Sequence, residues 1–523
     1  MCCAPARRRP ALVCTSENNR GGRSAGIGAA NTWDIHTIRE HDKRCPQLED
    51  DNYVGNIDCL TLSIFKPAEV EDASVLFHIH GDNFETGSGD PFVYGPEYLV
   101  EEGIILVLPN YRLGPLGFLC MQNETAPGNM ALKDLSLALS WISDNIEAFG
   151  GDAHNIAVSG DGRSGALAGL LALSPMSKVY VSKVIAESGS FLSYWALDRD
   201  PLIAAGHLME RLAELDNTAS RIDISFRDSS IESILTAAKG LEFRPCLERD
   251  NSTAFMIQSP YQIVTSENME TASFLMGSAK FAGTHEALMQ TAESIQKLND
   301  DSTLLLPDDL IFTTMTLRTQ TGARVKRQYF GERDITLEDV KDLSVCFTDM
   351  GYLGPGIRSA RLLAEAGANV YFYEFSFVGE MNRVLDSINH PVEGAVRGDI
   401  IGYLFTQDGV VPSEQQTDET KMIETMTQIW TSFLKTGSPA TEQIEWSKLE
   451  NNNQLEEEWL LIGTEVKMST GVHVDRLPLW TEIYENHYID GNHGPELSPS
   501  VYTILIFQIV FWVGFCKNAS HLY

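Results

Sequence analysis

The chain has 523 residues, 43% hydrophobic and 21% charged, which is enough to bury a large core. Its formal net charge of −33 argues against nucleic acid or anionic lipid as partners; it favours cationic ones, or simply solubility. Nine cysteines are too few for a disulfide scaffold. No cofactor and no metal are expected.

At the N-terminus, Arg7-Arg8-Arg9 precede an apolar run of only Ala11 to Cys14, too short for a secretory signal. The following stretch is polar and glycine-rich, so residues 1–31 are expected to lack regular structure. A single folded domain is expected over 32–490, with no linker or repeat inside it. Cys45 and Cys59 flank a short acidic loop and suggest one disulfide, the alternative being two free thiols. Leu60 to Phe65 alternates as a strand, Val75 to Gly81 reads as a second strand ending in a turn, and Ile104 to Arg112 as a third, apolar on both faces. A helix is expected from Leu132 to Phe149, with Leu135, Leu139, Ile142 and Ile146 on one face. Strands alternating with helices imply a mostly parallel sheet with crossovers, an α/β fold.

The stretch Gly150 to Gly165 is the most informative. An apolar strand runs into the turn Gly160-Asp161-Gly162-Arg163-Ser164 and then into a small-residue helix. This resembles a nucleophile elbow, in which G-x-S-x-G holds a serine on a strained turn above the sheet. Here Gly162 stands where the serine belongs. A second parse, Gly162-Arg163-Ser164-Gly165-Ala166, would make Ser164 the nucleophile at the expense of a two-residue slip.

Further segments carry a wider resemblance. Asp58-Cys59-Leu60-Thr61-Leu62, His80-Gly81, Asn110-Tyr111-Arg112-Leu113-Gly114, Phe149-Gly150-Gly151-Asp152, Lys435-Thr436-Gly437-Ser438-Pro439 and Arg476-Leu477-Pro478-Leu479-Trp480 are similar to the type-B carboxylesterase/cholinesterase family. The resemblance runs from about Trp33 to about Glu485 and implies an α/β-hydrolase fold, with a disulfide at Cys45 and Cys59 and a buried ion pair between Arg112 and Asp152. It also places the catalytic parts that such chemistry needs: nucleophile, base, orienting acid and backbone donors for the oxyanion. Counted along the family pattern, the nucleophile position is Gly162, the acid position Ala282 and the base position Arg397. The oxyanion loop reads Gly81, Asp82, Asn83. A glycine has no nucleophile, an alanine orients nothing, and an arginine stays protonated at any relevant pH. Asp82 adds negative charge where an oxyanion would develop. Glu286 is expected to be a helix-face carboxylate and His390 a loop residue.

The resemblance therefore implies a member without catalysis, similar to the neuroligin, gliotactin, glutactin and neurotactin branch, whose role would be binding a protein partner at the cell surface. Two other readings stay open: an ester hydrolase using Ser164 with His390, or a pseudoesterase that keeps its gorge as a small-molecule pocket. No tryptophan lies between Cys45 and Cys59, which argues against a choline site. Cys246 and Cys346 are expected to be buried free thiols. Met426, Ile429, Trp430 and Phe433, with Glu424, lie on an expected helix that either forms a homodimer face or packs in the core. No helix is expected after Trp480. Asn123 and Asn251 are candidate glycosylation sites, and Asn518 heads a third sequon. After a linker over 491–500, the apolar segment 501–516 would reach about 24 Å as a helix, against a hydrocarbon core of about 30 Å. A short membrane anchor, a cleaved lipid-anchor signal and a core segment all remain open for it.

Overall fold

The computed structural model describes residues 11–16, 44–81, 83–215, 229–249, 252–382, 384, 392–407, 417–450, 457–488 and 490. Within them twelve strands run β1 Ala11–Ser16, β2 Gln47–Glu49, β3 Asn52–Val54, β4 Thr61–Lys66, β5 Ala73–Ile79, β6 Ile105–Pro109, β7 Gly151–Asp161, β8 Lys183–Glu187, β9 Ser273–Ala279, β10 Asn369–Phe375, β11 Glu458–Ile462 and β12 Val466–Thr470. Ten of them form one sheet in the order β1-β4-β6-β5-β7-β8-β9-β10-β11-β12. Within this sheet only the β4–β6 and β11–β12 pairings are antiparallel; β2 and β3 form a separate antiparallel pair.

The central strands are apolar on both faces because both faces are covered. β5 is buried at all seven positions and β6 at all five. Alternate residues feed separate cores: Val75, Phe77 and Ile79 pack into one cluster, Leu76 into another. The helix Met130–Asn145 covers the first face with Leu132, Leu135, Leu139 and Ile142, and a 3-10 turn over Ile146–Phe149 completes the expected helical stretch. On the second face lies the helix Asp418–Thr436. Its Met426, Ile429 and Phe433 are fully buried and Trp430 is 1% exposed. These four side chains pack in the core, and among the five only Glu424 is exposed.

Several expectations change. The N-terminal stretch contains a strand: β1 runs parallel to β4 in register Ala11↔Thr61 to Ser16↔Lys66. The run Ala11 to Ser16 pairs along the otherwise open edge of β4. A helix does exist at Trp480, spanning Leu477–His487 with Pro478 in its first turn. Trp480 and Ile483 are buried, and the helix is pinned by Arg476 Nε donating to Asp349 Oδ2 at 2.6 Å. Arg112 does not pair with Asp152. It makes a bidentate pair with Asp134, Nε to Oδ2 at 2.7 Å and Nη2 to Oδ1 at 2.6 Å, while Asp152 accepts from the His154 N–H in its own turn. The segments 491–500 and 501–516, His390, Asn251 and Asn518 lie outside the described residues. Among the described residues, no helix is long and apolar enough to cross a membrane.

Cys45 and Cys59 form the expected disulfide, closing the β2–β3 hairpin whose turn residues Asp50 and Asp51 have φ of 47° and 66°. Cys246 is not free: it bonds Cys120 across 126 residues. Asn129 clamps this bridge, donating from Nδ2 to the Cys246 carbonyl and accepting from its N–H. Gly128 sits at φ 106° with the bridge against it, since a β-carbon there would lie 2.5 Å from Cys246 Sγ. Cys346 remains a buried free thiol, as expected, and burial pushes its pKa up.

Beneath the turn after β7, Glu187 ends β8 fully inside the protein. Tyr373 Oη donates to its Oε2 at 2.5 Å and Ser188 Oγ to its Oε1 at 2.8 Å. Burial nevertheless dominates and pushes the carboxyl up to about 7. A carboxyl raised in the folded state holds its proton longer there than in the unfolded chain. It therefore favours the fold at acid pH, and that contribution is lost as pH rises from about 4.5 to about 7.

Two measurements follow. Cys246→Ser should lower the free energy of unfolding in denaturant titration by roughly 2–5 kcal/mol, as expected for opening a long covalent loop. Glu187→Gln should flatten the fall of stability between pH 4.5 and 7, removing a slope of at most about 1.4 kcal/mol per pH unit. An unchanged slope in urea melts across that range would refute the assignment of Glu187.

Candidate functional site

β7 ends at Asp161 and the helix Arg163–Leu173 begins one residue later. Gly162 alone makes the turn, at φ 58° and ψ −121°, a conformation that L-residues with side chains rarely adopt. The turn is fixed from both sides: Gly162 N–H donates to the Glu187 carbonyl at 2.8 Å, and its own carbonyl accepts from Ala166 at 3.2 Å. The strand–turn–helix therefore bends sharply at Gly162, which stands at the apex of the turn, with Ser164 inside the helix.

Ser164, the alternative nucleophile, lies two residues inside the helix and is 3% exposed. Its Oγ donates to the Asp161 carbonyl at 2.8 Å and accepts the Asp161 N–H at 3.0 Å. Both bonds staple the first helical turn to the end of β7. They give the hydroxyl a structural task away from the apex.

The position counted as the base lies directly against the apex. A β-carbon built on Gly162 would meet Arg397 Cδ at 2.9 Å and Nη1 at 3.0 Å. The guanidinium lies 5.8 Å from the ring centre of Tyr352. Tyr352 in turn donates its hydroxyl to Glu286 Oε1, on the short helix Thr284–Leu288. Glu286 is thus a helix carboxylate, as expected, yet one joined to the site through a tyrosine. Burial, and then the Glu286 charge, push the Tyr352 hydroxyl's pKa well up. The counted acid position, Ala282, is 1% exposed and packs in an apolar cluster with Ala166, Trp195 and Tyr352. The structure places Gly162, Ala282 and Arg397, the three positions counted from the sequence, near one another. Sequence counting missed Tyr352 and Trp195, which stand far away along the chain; their only advance signal was aromatic character.

The loop after β5 forms another wall. Gly81 has φ 117°, and a β-carbon there would lie 2.6 Å from Tyr111 Oη. Asn83 and Phe84 follow with φ of 53° and 63°. Asparagine tolerates this region, whereas a buried phenylalanine does so under strain. Phe84 is held there by Phe118 at 5.0 Å and by the Arg163 guanidinium 5.3 Å from its ring centre. Asp82 lies outside the described residues. His80, stacked on Tyr111 at 4.6 Å, is fully buried, and burial lowers its pKa to about 3, so it stays neutral. Beside these walls opens a cavity of about 570 Å³ lined by Gly81, Ser88, Tyr94, Asp161, Ala282 and Arg397. Among the described residues no cluster of acids, histidines or cysteines could hold a metal ion.

The whole-chain comparisons agree with this architecture. The family model described as the carboxylesterase family matches residues 30–480. Esterase FE4 of Myzus persicae is 28% identical over 424 residues, covering 76% of this chain and 74% of that protein. Bile salt-activated lipase of Bos taurus is 28% identical over 480 residues, covering 85% and 78%. Among solved structures, juvenile hormone esterase of Manduca sexta superposes with a TM-score of 0.73 at 21% identity over 85% of this chain and 88% of that one, a likeness of fold. Elbow, ten-stranded sheet and family match converge, and the chain belongs to the carboxylesterase family of α/β-hydrolases.

Proposed function

We propose that this carboxylesterase-family chain binds without hydrolysing, as a non-catalytic member whose task is recognition of another protein at the cell surface. One observation carries the reading: the elbow apex is Gly162, with no side chain, and Arg397 packs against it. Acyl transfer by the family route needs an oxygen nucleophile and a neutral base at those two places. Arginine keeps its proton, and losing any one member of such a unit already removes most of the rate. The relatives bear the names of esterases and a lipase, so this reading sets the chain apart from them. Its acidic surface favours a partner with a basic face. The two disulfides suit an oxidising compartment such as the extracellular space.

A fluorophosphonate probe tests the chemistry. The purified protein should stay unlabelled under conditions that label an active serine esterase to completion. Labelling that disappears in Ser164→Ala would restore the hydrolase reading. Gly162→Ser alone should remain silent, because the new side chain meets Arg397 and finds no base. Adding Arg397→His and Ala282→Glu to Gly162→Ser should recover labelling, since the backbone of the elbow is retained. Recognition is tested separately: the fluorescent full chain should bind intact cells saturably, and mild protease treatment of the cells should abolish that binding. Non-saturable or protease-resistant binding counts against a protein partner.

A further inference from the structure

We infer that Asn123 carries an N-linked glycan whose inner sugars lie along the open groove beside it. The groove has a volume of about 1020 Å³ and is walled by Asn123, Glu124, Leu137, Tyr180 and Arg249, with the Arg112–Asp134 ion pair among its lining. That size is at the upper end of ligand-holding pockets.

The sequon Asn123-Glu124-Thr125 lies on the loop that begins at Cys120, and Asn123 is exposed. Its side chain is already divided into two roles. Oδ1 accepts from the N–H groups of Thr125 at 2.9 Å and Ala126 at 3.0 Å, fixing the loop. Nδ2, the atom that would take the sugar, forms no hydrogen bond with the described residues. Neighbouring asparagines differ: Asn129 spends Nδ2 on the Cys246 carbonyl and Glu248, and Asn145 spends its own on the Trp141 carbonyl. Only at Asn123 of these three would a sugar displace nothing. The Cys120–Cys246 disulfide brackets the same loop, and such bonds form in the compartments where N-glycans are attached.

The groove also has a reason to be covered. Leu137 on its wall is 41% exposed and Val179, beside the lining residue Tyr180, is 74% exposed. A branched sugar chain offers apolar C–H faces to such side chains and hydroxyls to water, so it removes an adhesive patch without a protein partner. The covalent step is a transfer from a lipid-pyrophosphate-linked oligosaccharide. Asn123 Nδ2 loses one proton and bonds the anomeric carbon, and the lipid pyrophosphate leaves.

The test uses the full chain behind an added signal peptide, expressed in glycosylating eukaryotic cells and recovered from their secretory pathway. After reduction and trypsin, the peptide Leu113–Lys133 should appear only with added glycan mass, and peptide-N-glycosidase should return it with Asn123 converted to aspartate. Thr125→Ser should keep the glycan and Thr125→Ala should lose it. For the placement in the groove, brief native trypsin should nick after Arg249 at least threefold faster in Thr125→Ala than in wild type or Thr125→Ser. Should Thr125→Ala fail to fold, enzymatic deglycosylation of folded Asn251→Gln protein, which cannot carry a glycan beside Arg249, should give the same acceleration. An unmodified Leu113–Lys133 peptide from the recovered protein overturns the glycan. Equal nicking with and without the glycan overturns its placement.

Discussion

Glycines pack the backbone tightly around the elbow, and the site is built on them. A β-carbon on Gly189 would lie 1.9 Å from the Gly162 carbonyl oxygen, and one on Gly160 would lie 2.4 Å from the Ser164 carbonyl carbon. Side chains at either point would force the helix Arg163–Leu173 away from β7 and β8. The glycines therefore hold strand, turn and helix in contact, and Ser164 and the Glu187 carbonyl secure the turn by hydrogen bonds. At the apex these contacts use only the backbone of Gly162, its N–H and its carbonyl. Position 162 needs only to tolerate φ of 58°, which glycine does without strain. The bend of the elbow thus rests on backbone contacts and does not depend on a side chain at position 162.

The surroundings of the apex are consistent with that arrangement. Arg397 occupies space beside a glycine that offers none of its own bulk, and Ala282 closes an apolar cluster with Trp195 and Tyr352 where a carboxylate would be poorly solvated. Replacing several polar members of a site with groups that pack is internally coherent. Reversing one position leaves the others unsuited to it, which is why a single substitution is not expected to restore acyl transfer. Among the described residues two disulfides tie this domain together, and the chain carries a formal net charge of −33.

How much of this was legible in the sequence depended on the range of each interaction. β4, β5, β6 and the helix Met130–Asn145 could be read from local apolar patterns, because each buries its faces in its own stretch of chain. The elbow was legible for the same reason: strand, glycine turn and small-residue helix are contiguous. The Cys120–Cys246 bridge was not, since its partners are 126 residues apart and nothing local distinguishes a bonded cysteine from a buried thiol. The partner of Arg112 was misjudged because a position carried over from relatives was preferred to Asp134, which the helix places on the same side of the groove. Tyr352 enters the site from a π-helical turn, Asp349–Leu353, whose wider spacing no apolar period announces.

The central claim is that no atom at the elbow apex can form an acyl-enzyme. Intact-mass spectrometry of the protein after incubation with an activated acetate ester measures this most directly. The account predicts an unchanged mass for the elbow region throughout the time course. A transient acetyl group mapping to Ser164, gained and lost in step with ester consumption, would contradict it.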